Sequence, residues 1–312
     1  MKKGRNDIEG LLRTYNTKSV VRIRQLCFFG IGDRDVYNIT SPFYVRGKLH
    51  ILGRVQERSQ EGGSMVVFFR HTKTSVCEIV DNALPIYDLE DPFVICLKDM
   101  IIVGGVEVSH RPIKKGVSYR TVFYRGKDLS SLERFAHGPW GMKDIRFIQL
   151  PNKKFCVFTR PQGRKGGRGK IGFTRIRSLN DLKPGILSRA RLLDGQFAKG
   201  EWSGVNEVHL LKNGLLGILG HVARYMAGNV REYYPISFCF DYHTKRLFGM
   251  KILIRRDDLP RSEAKRFDLY SVVYPGGIVR IKNGKAKLYV GVGDAEAYEI
   301  TINDPFLEYE RL

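Results

Sequence analysis

Glu90-Asp91-Pro92 sets two carboxylates between Leu89 and the apolar run Phe93-Val94-Ile95. A carboxylate that enters a strand among apolar neighbours loses hydration, its pKa rises, and the retained proton suits a general acid. Asp91 is the candidate acid on these grounds; the competing reading is an ordinary turn residue before proline. Lys143, Arg160 and His221 form a basic trio able to hold a phosphate oxyanion by charge-assisted hydrogen bonds, unless Asp144, Glu107 or Glu207 pairs with them. The tract from Arg160 to Arg177 carries Arg164, Lys165, Arg168, Lys170 and Arg175 and no acid, and reads as a solvated surface loop, with contact to RNA as the sharper alternative. Glu201-Trp202-Ser203-Gly204 lacks the order and the strand-to-helix setting of a serine nucleophile. No Walker loop or dinucleotide fingerprint is present, and no His/Asp cluster has metal-ligand spacing, so neither a cofactor nor a metal is expected.

These residues belong to a chain of 312 residues with 43% hydrophobic side chains, enough to bury a sizeable core. Apolar runs such as Met65 to Phe69 stay far below the roughly 18 residues of a membrane-spanning helix. The N-terminal stretch is broken by Asn6, Asp7, Glu9 and Arg13, so no signal peptide is expected and the chain is assigned to the cytoplasm. Five scattered cysteines with no C-x-x-C pair read as buried free thiols. The net charge of +21 favours an anionic partner without naming it.

Helical periodicity is confined to Arg5–Arg13, Asp128–Phe135 and Leu179–Leu182, whereas β-branched and aromatic runs bounded by turn residues recur throughout, which makes the chain all-β. A short turn between two apolar runs appears at Arg46-Gly47, Lys98-Asp99, Asn152-Lys153, Asn213-Gly214 and Asn283-Gly284, at intervals of 52 to 70 residues. Further strands follow each hairpin, near Met65–Arg70, Tyr119–Arg125, Lys170–Ile176, Ile236–Tyr242 and Tyr298–Ile302. That period predicts a five-bladed β-propeller formed by residues 1–312 as one domain, with a short N-terminal extension over residues 1–20. A two-sheet sandwich, the competing fold, has no such period.

Polar residues enter the first strand of the hairpins at Asn38, Glu90-Asp91, Lys143-Asp144 and Asn206-Glu207. Others leave the second strand at Arg54, Glu107, Arg160, His221 and Asp294. Both ends lie opposite the turn, so these groups are expected to converge on one mouth of the central channel.

The motifs resemble the inverting β-mannoside phosphorylases, which are five-bladed propellers. The resemblance rests on Glu90-Asp91-Pro92, on Lys143-Asp144 followed by Phe158-Thr159-Arg160-Pro161, on Gly214 to His221, on Val272 to Gly277 and on Tyr289 to Asp294. Asp35 to Thr40 and Gly204 to His209 look more like a divergent branch, the mannosyltransferase-phosphorylases that make and degrade β-1,2-linked mannose oligomers. The resemblance spans residues 33 to 306. It implies Asp91 as the acid that protonates the glycosidic oxygen, Arg160 and His221 as phosphate ligands, and Asn38, Arg54 and Asp294 as mannose ligands. Glu107, Asp144, Asn206 and Glu207 join the expected substrate site through their place at the mouth. The phosphorylases follow their Glu-Asp-Pro with arginine, where this chain has Phe93, and carry a lysine where this chain has Trp202-Ser203-Gly204. Lys143, Arg111 or Arg224 is expected to compensate as a phosphate ligand.

An inverting hydrolase needs an acid and a base, but phosphate is already an anionic nucleophile, so one carboxylic acid and a basic cradle suffice. The implied reaction is phosphorolysis of a mannose oligosaccharide by inorganic phosphate to give mannose 1-phosphate, and its reverse. A GDP-mannose donor also presents phosphate to the basic groups. The alternative from another class is a non-catalytic basic propeller that binds RNA or another polyanion.

Overall fold

All five anticipated turns close antiparallel hairpins in the computed structural model, which describes residues 6–72, 74–81, 83–109 and 118–312. Four hairpins each start a four-stranded antiparallel sheet. In order from the first hairpin strand outward these are Leu89–Cys96, Ile101–Ser109, Ser118–Gly126 and Glu133–His137; Arg146–Gln149, Phe155–Thr159, Gly172–Ile176 and Arg191–Leu192; and Trp202–Leu210, Leu216–Tyr225, Arg231–Asp241 and Arg246–Ile252. In the fourth, Val273–Ile281, Lys285–Val292 and Glu296–Asn303 are completed by the N-terminal strand Val20–Gln25, so the two ends of the chain close one sheet. The remaining sheet has seven strands; its inner edge is split into Asp35–Tyr37 and Phe43–Val45, both paired with Lys48–Gln56. The architecture is thus all-β and propeller-like.

The apolar core lies between neighbouring sheets. Phe158, Phe173 and Phe240 pack ring on ring, with centroids 4.9–5.4 Å apart, where the sheet beginning at Arg146 meets the sheet beginning at Trp202. The short helix Ile8–Arg13, capped by the Asp7 carboxylate on the Gly10 amide, seats Ile8 and Leu11 in the same cluster. Within the expected extension, the described residues 6–20 are thus docked structure leading into Val20–Gln25. The inner strands meet around one axis, since segments from all five sheets line a cavity at one end of the central channel. Close approach there needs glycine: a Cβ on Gly276 would stand 1.4 Å from the Ile39 carbonyl oxygen.

Some local expectations change. Asp128–Phe135 is a turn followed by the strand Glu133–His137, because Asp128 uses its carboxylate to bind Ser130 and the turn competes with helix. Cys77, Cys156 and Cys239 are buried, but Cys27 and Cys96 are exposed. The basic tract is not merely solvated: Lys165 donates to the Ser188 and Ala190 carbonyls, and Lys170 to those of Phe197, Ala198 and Glu201. Among the described residues no helix is long and apolar enough to cross a membrane.

Candidate active site

At the other end of the channel the polar residues surround a cavity of about 240 Å³. Asn38, Arg54, Glu90, Asp91, Lys143 and Asp294 all line it, joined by Tyr233 and Tyr274. Asn38, Asp91, Asp144 and Asp294 have φ of 46°, 48°, 58° and 52°, the left-handed region. Asn and Asp tolerate this conformation better than other side chains, and here it turns the chain at the strand ends. In the Leu89–Cys96 strand, Glu90 pairs with Val106 and Phe93 with Gly104, so Asp91 and Pro92 face the single residue Gly105. This is a bulge; it accepts a proline that cannot donate to the ladder, and it aims Asp91 into the cavity.

Asp91 is 4% exposed. Its Oδ1 accepts from Asn38 Nδ2 at 2.8 Å and from an Arg54 guanidinium nitrogen at 3.4 Å, while Lys143 Nζ stands 3.8 Å from Oδ2. Oδ2 is thus the oxygen left to carry a proton. Burial pushes the Asp91 pKa up, but Lys143, Arg54 and the Asn38 amide override it and hold the carboxyl below the usual range. The expected protonated acid is therefore held as an ionised carboxylate, because the sequence neighbours Leu89 and Pro92 matter less than two cations brought from other sheets. Burial raises the pKa of the adjacent Glu90, which accepts from Arg54 at 2.7 Å, and raises that of Asp294.

Next to Lys143 in the chain but outside the cavity lining, Asp144 accepts from Arg160 at 2.7 Å, both almost fully buried; His221 is likewise outside the lining. His221 Nδ1 lies 2.8 Å from Asn206 Oδ1 and its Nε2 lies 3.7 Å from Asp144. Burial lowers the His221 pKa to about 3, so the imidazole is neutral near pH 7 and offers no positive charge to phosphate. The His221 ring also stacks on Tyr233. Several buried polar atoms around this layer have no protein partner, among them Arg160 Nε, Asp144 Oδ1, Asn206 Nδ2 and Tyr274 OH. Orphaned donors and acceptors beside a polar cavity are the condition in which a ligand or water supplies the missing bonds.

Asn206 borders the cavity at the opposite end, and three further expected residues also lie away from the site. Glu107 is outside the cavity lining, held by Arg120 and Arg134. Glu207 faces the opposite end of the channel, where it accepts from Ser41 and from the Ile278 amide, because its strand starts at Trp202 and not at Asn206. Arg224 is taken up by Glu232 and Glu9. Arg111 lies outside the described residues. Phe93, in the place of the resembled family's arginine, lines the opposite-end cavity under the Arg146 guanidinium, 3.8 Å from its ring centroid. Trp202 donates its indole N–H to Tyr233 OH at 3.0 Å and so braces a cavity residue.

The cations missed from sequence come from outside the five hairpins. Arg231, Lys265 and Arg266 line the cavity, the last two from the long connection between Arg246–Ile252 and Val273–Ile281. Lys265 donates to the Gln60 carbonyl and Arg266 binds Glu61, which ties this connection to the loop after Lys48–Gln56 across the cavity mouth. The one available signal was length: a connection of about 20 residues inside a compact fold usually has a function.

Comparison with known proteins agrees with this geometry. Residues 13–308 match a protein family described as of unknown function, DUF1861. No curated protein sequence matches. The fold superposes on MPT-4, a mannose phosphorylase from Leishmania mexicana solved with a phosphate ion, with a TM-score of 0.87 and 33% identity over 96% of this chain and 93% of that one. The chain belongs to the mannosyltransferase-phosphorylase family. MPT-1, a GDP-Man-dependent mannosyltransferase from the same organism, matches with a TM-score of 0.84 and 33% identity over 96% of this chain and 94% of that one. A β-1,2-mannobiose phosphorylase from Listeria innocua shares the fold at 15% identity, a TM-score of 0.65 and 99% of each chain. As a member of this family the protein is a glycoside phosphorylase or glycosyltransferase, which displaces the non-catalytic reading.

Proposed function

We propose that this protein cleaves and forms β-1,2-linked mannosides by inverting phosphorolysis and its reverse, using the 240 Å³ cavity as its site. We also infer that the seven-stranded sheet acts as the fifth blade, since its hairpin supplies Asn38 and Arg54 as the other sheets supply Asp91, Lys143 and Asp294. The observation that carries the reading is the pairing of Asp91 Oδ2, its one lightly engaged oxygen, with Lys143 at 3.8 Å in a cavity rimmed by cations.

In this reading Asn38, Arg54 and Asp294 hold the mannosyl unit and Lys143 holds phosphate; Arg160, Asp144, Asn206 and His221 form the buried layer that fixes the floor. A phosphate oxygen bonds to the anomeric carbon from the face opposite the leaving group, and the carbon–oxygen bond to the leaving mannose breaks. Asp91 gives its proton to that leaving oxygen, directly or through a sugar hydroxyl, and mannose 1-phosphate forms with inverted configuration. Bound phosphate neutralises Lys143 and adds negative charge nearby, which raises the Asp91 pKa when the proton is needed. GDP-mannose is an alternative donor in the same proposal because it presents phosphate to the same cations. The free cysteines suit the reducing cytoplasm as the proposed compartment.

The test is incubation with β-1,2-mannobiose and phosphate, with mannose 1-phosphate as the readout, beside a parallel reaction with GDP-mannose and mannose. Release of mannose 1-phosphate supports phosphorolysis. Turnover of GDP-mannose alone would move the assignment to transfer, and inertness in both would overturn it.

A further inference from the structure

The cations of the active-site mouth are largely matched by carboxylates: Arg54 by Glu90 and Asp91, Lys143 by Asp91, Arg160 by Asp144, Arg266 by Glu61 and Asp268, and Arg231 by Asp268. The excess of +21 is therefore not concentrated where phosphate is turned over. Part of it lies on the outer side of the fold. A groove of about 510 Å³ runs between the outer strands Gly172–Ile176 and Arg191–Leu192 and the turn before Arg246–Ile252. It is lined by Arg175, Arg189, Arg191, Lys245 and Arg246, with Asp194 as its one acid. Arg175 also borders a second cavity of about 270 Å³, whose lining adds Arg177 and Lys154 and no acid.

All seven cations are exposed, and among the described residues none of them makes an ion pair. Seven like charges set around the single carboxylate of Asp194 repel one another and raise the free energy of the folded chain, and an anionic ligand relieves this. Five of the seven are arginines, whose planar forks match phosphate oxygens two at a time. The site is concave, which suits a chain of phosphates better than a flat bilayer. At its edge the rings of Tyr242 and His243 lie 4.2 Å apart, and the exposed His243 offers a face on which a base can stack.

We propose that this groove is a second binding site, separate from the catalytic cavity, for a single-stranded nucleic acid held through its phosphodiester backbone. It explains why Arg175 and Arg177 of the basic tract stay unpaired while Lys165 and Lys170 are used inside the fold. The site goes beyond the catalytic reading and does not depend on it.

The probe is a fluorescein-labelled 12-nucleotide uridine oligomer, titrated with the full-length protein from 50 to 200 mM KCl and followed by anisotropy. With seven phosphate contacts the log–log salt slope should be about −5, so affinity falls about 10³-fold over this range. The triple variant Arg175→Ala, Arg189→Ala, Arg191→Ala should flatten the slope by about 2. A control variant, Lys48→Ala, Lys127→Ala, Lys282→Ala, should leave it unchanged. The triple variant should melt no lower than the wild type, since it relieves repulsion, and this separates lost binding from lost folding. No binding of the oligomer at 50 mM KCl would overturn the proposal. So would an equal loss in the control variant, which would reduce the effect to net charge. Phosphatidylserine vesicles serve as a third arm: binding to vesicles but not to the oligomer would replace the nucleic acid by a membrane surface and overturn it as well.

Discussion

Lys143→Met should move the alkaline limb of the pH–rate profile to higher pH. The lysine stands 3.8 Å from Asp91 Oδ2 and is one of three groups that keep Asp91 below the usual carboxylate range against the effect of burial. Two unit charges about 4 Å apart interact by about 4 kcal/mol at an effective dielectric constant of 20 and about 1 kcal/mol in water. The Lys143 side chain is 28% exposed, so the interaction falls between these limits, about 1 to 3 kcal/mol, or about 1 to 2 pKa units. The sign follows from the role: a general acid works protonated, so the rate falls as pH rises through its pKa. Removing the cation raises that pKa and extends activity upward by the same interval. The assay is kcat/KM for β-1,2-mannobiose from pH 4 to 9 at a fixed low phosphate concentration, which reports the acid of the free enzyme. The ionisation of phosphate itself is common to both proteins and cancels in the comparison. The KM for phosphate should rise in parallel, because the variant also loses a phosphate ligand. An alkaline limb that stays in place, or moves down, would refute Asp91 as the acid governed by Lys143.

Asp91→Asn keeps the shape and removes the transferable proton; phosphorolysis of an unactivated mannoside should fall at least 10²-fold, the lower end for general acid catalysis, while a donor that needs no protonation is affected much less. Near-normal turnover on mannobiose would assign the acid elsewhere, with Glu90 next in line. Gly291→Ala should disturb the site from behind, since a Cβ there would stand 2.3 Å from Asn38 Oδ1 and 2.4 Å from its backbone nitrogen. Overpacking of this kind costs about 1–3 kcal/mol, visible in thermal melting, and a shift of Asn38 should lower kcat about 10²-fold; a fully active variant would mean that the Asn38–Asp91 contact is dispensable. His221→Gln should make the fold less sensitive to acid: His221 has a folded pKa of about 3, below the unfolded value near 6.5, so the unfolded state takes up the proton first and the wild type loses stability as pH falls through that interval. Urea midpoints at pH 7 and 4.5 measure this, and an equal drop in both proteins would show that the imidazole does not titrate between the two states.

The all-β class and the five hairpins were legible because turn chemistry and alternating apolar runs are local properties, and each of the five turns indeed joins two paired strands. Asn38, Arg54, Glu90, Asp91, Lys143 and Asp294 were legible as a group for a related reason: a hairpin fixes which strand ends lie opposite its turn, and repetition carries that end to one mouth. Glu207 was misplaced because the start of its strand is set by pairing with Leu216–Tyr225, and four residues of strand precede Asn206. Lys265 and Arg266 could not be read, since a loop without periodicity gives no sign of where it lands, and Arg231 opens a third strand, outside the hairpin whose ends the sequence placed. Protonation was the least accessible property. Sequence neighbours suggested a protonated Asp91, but the field at its carboxylate comes from Arg54 and Lys143, which stand 37 and 52 positions away in the chain, and only the closed ring of sheets brings those charges within 4 Å.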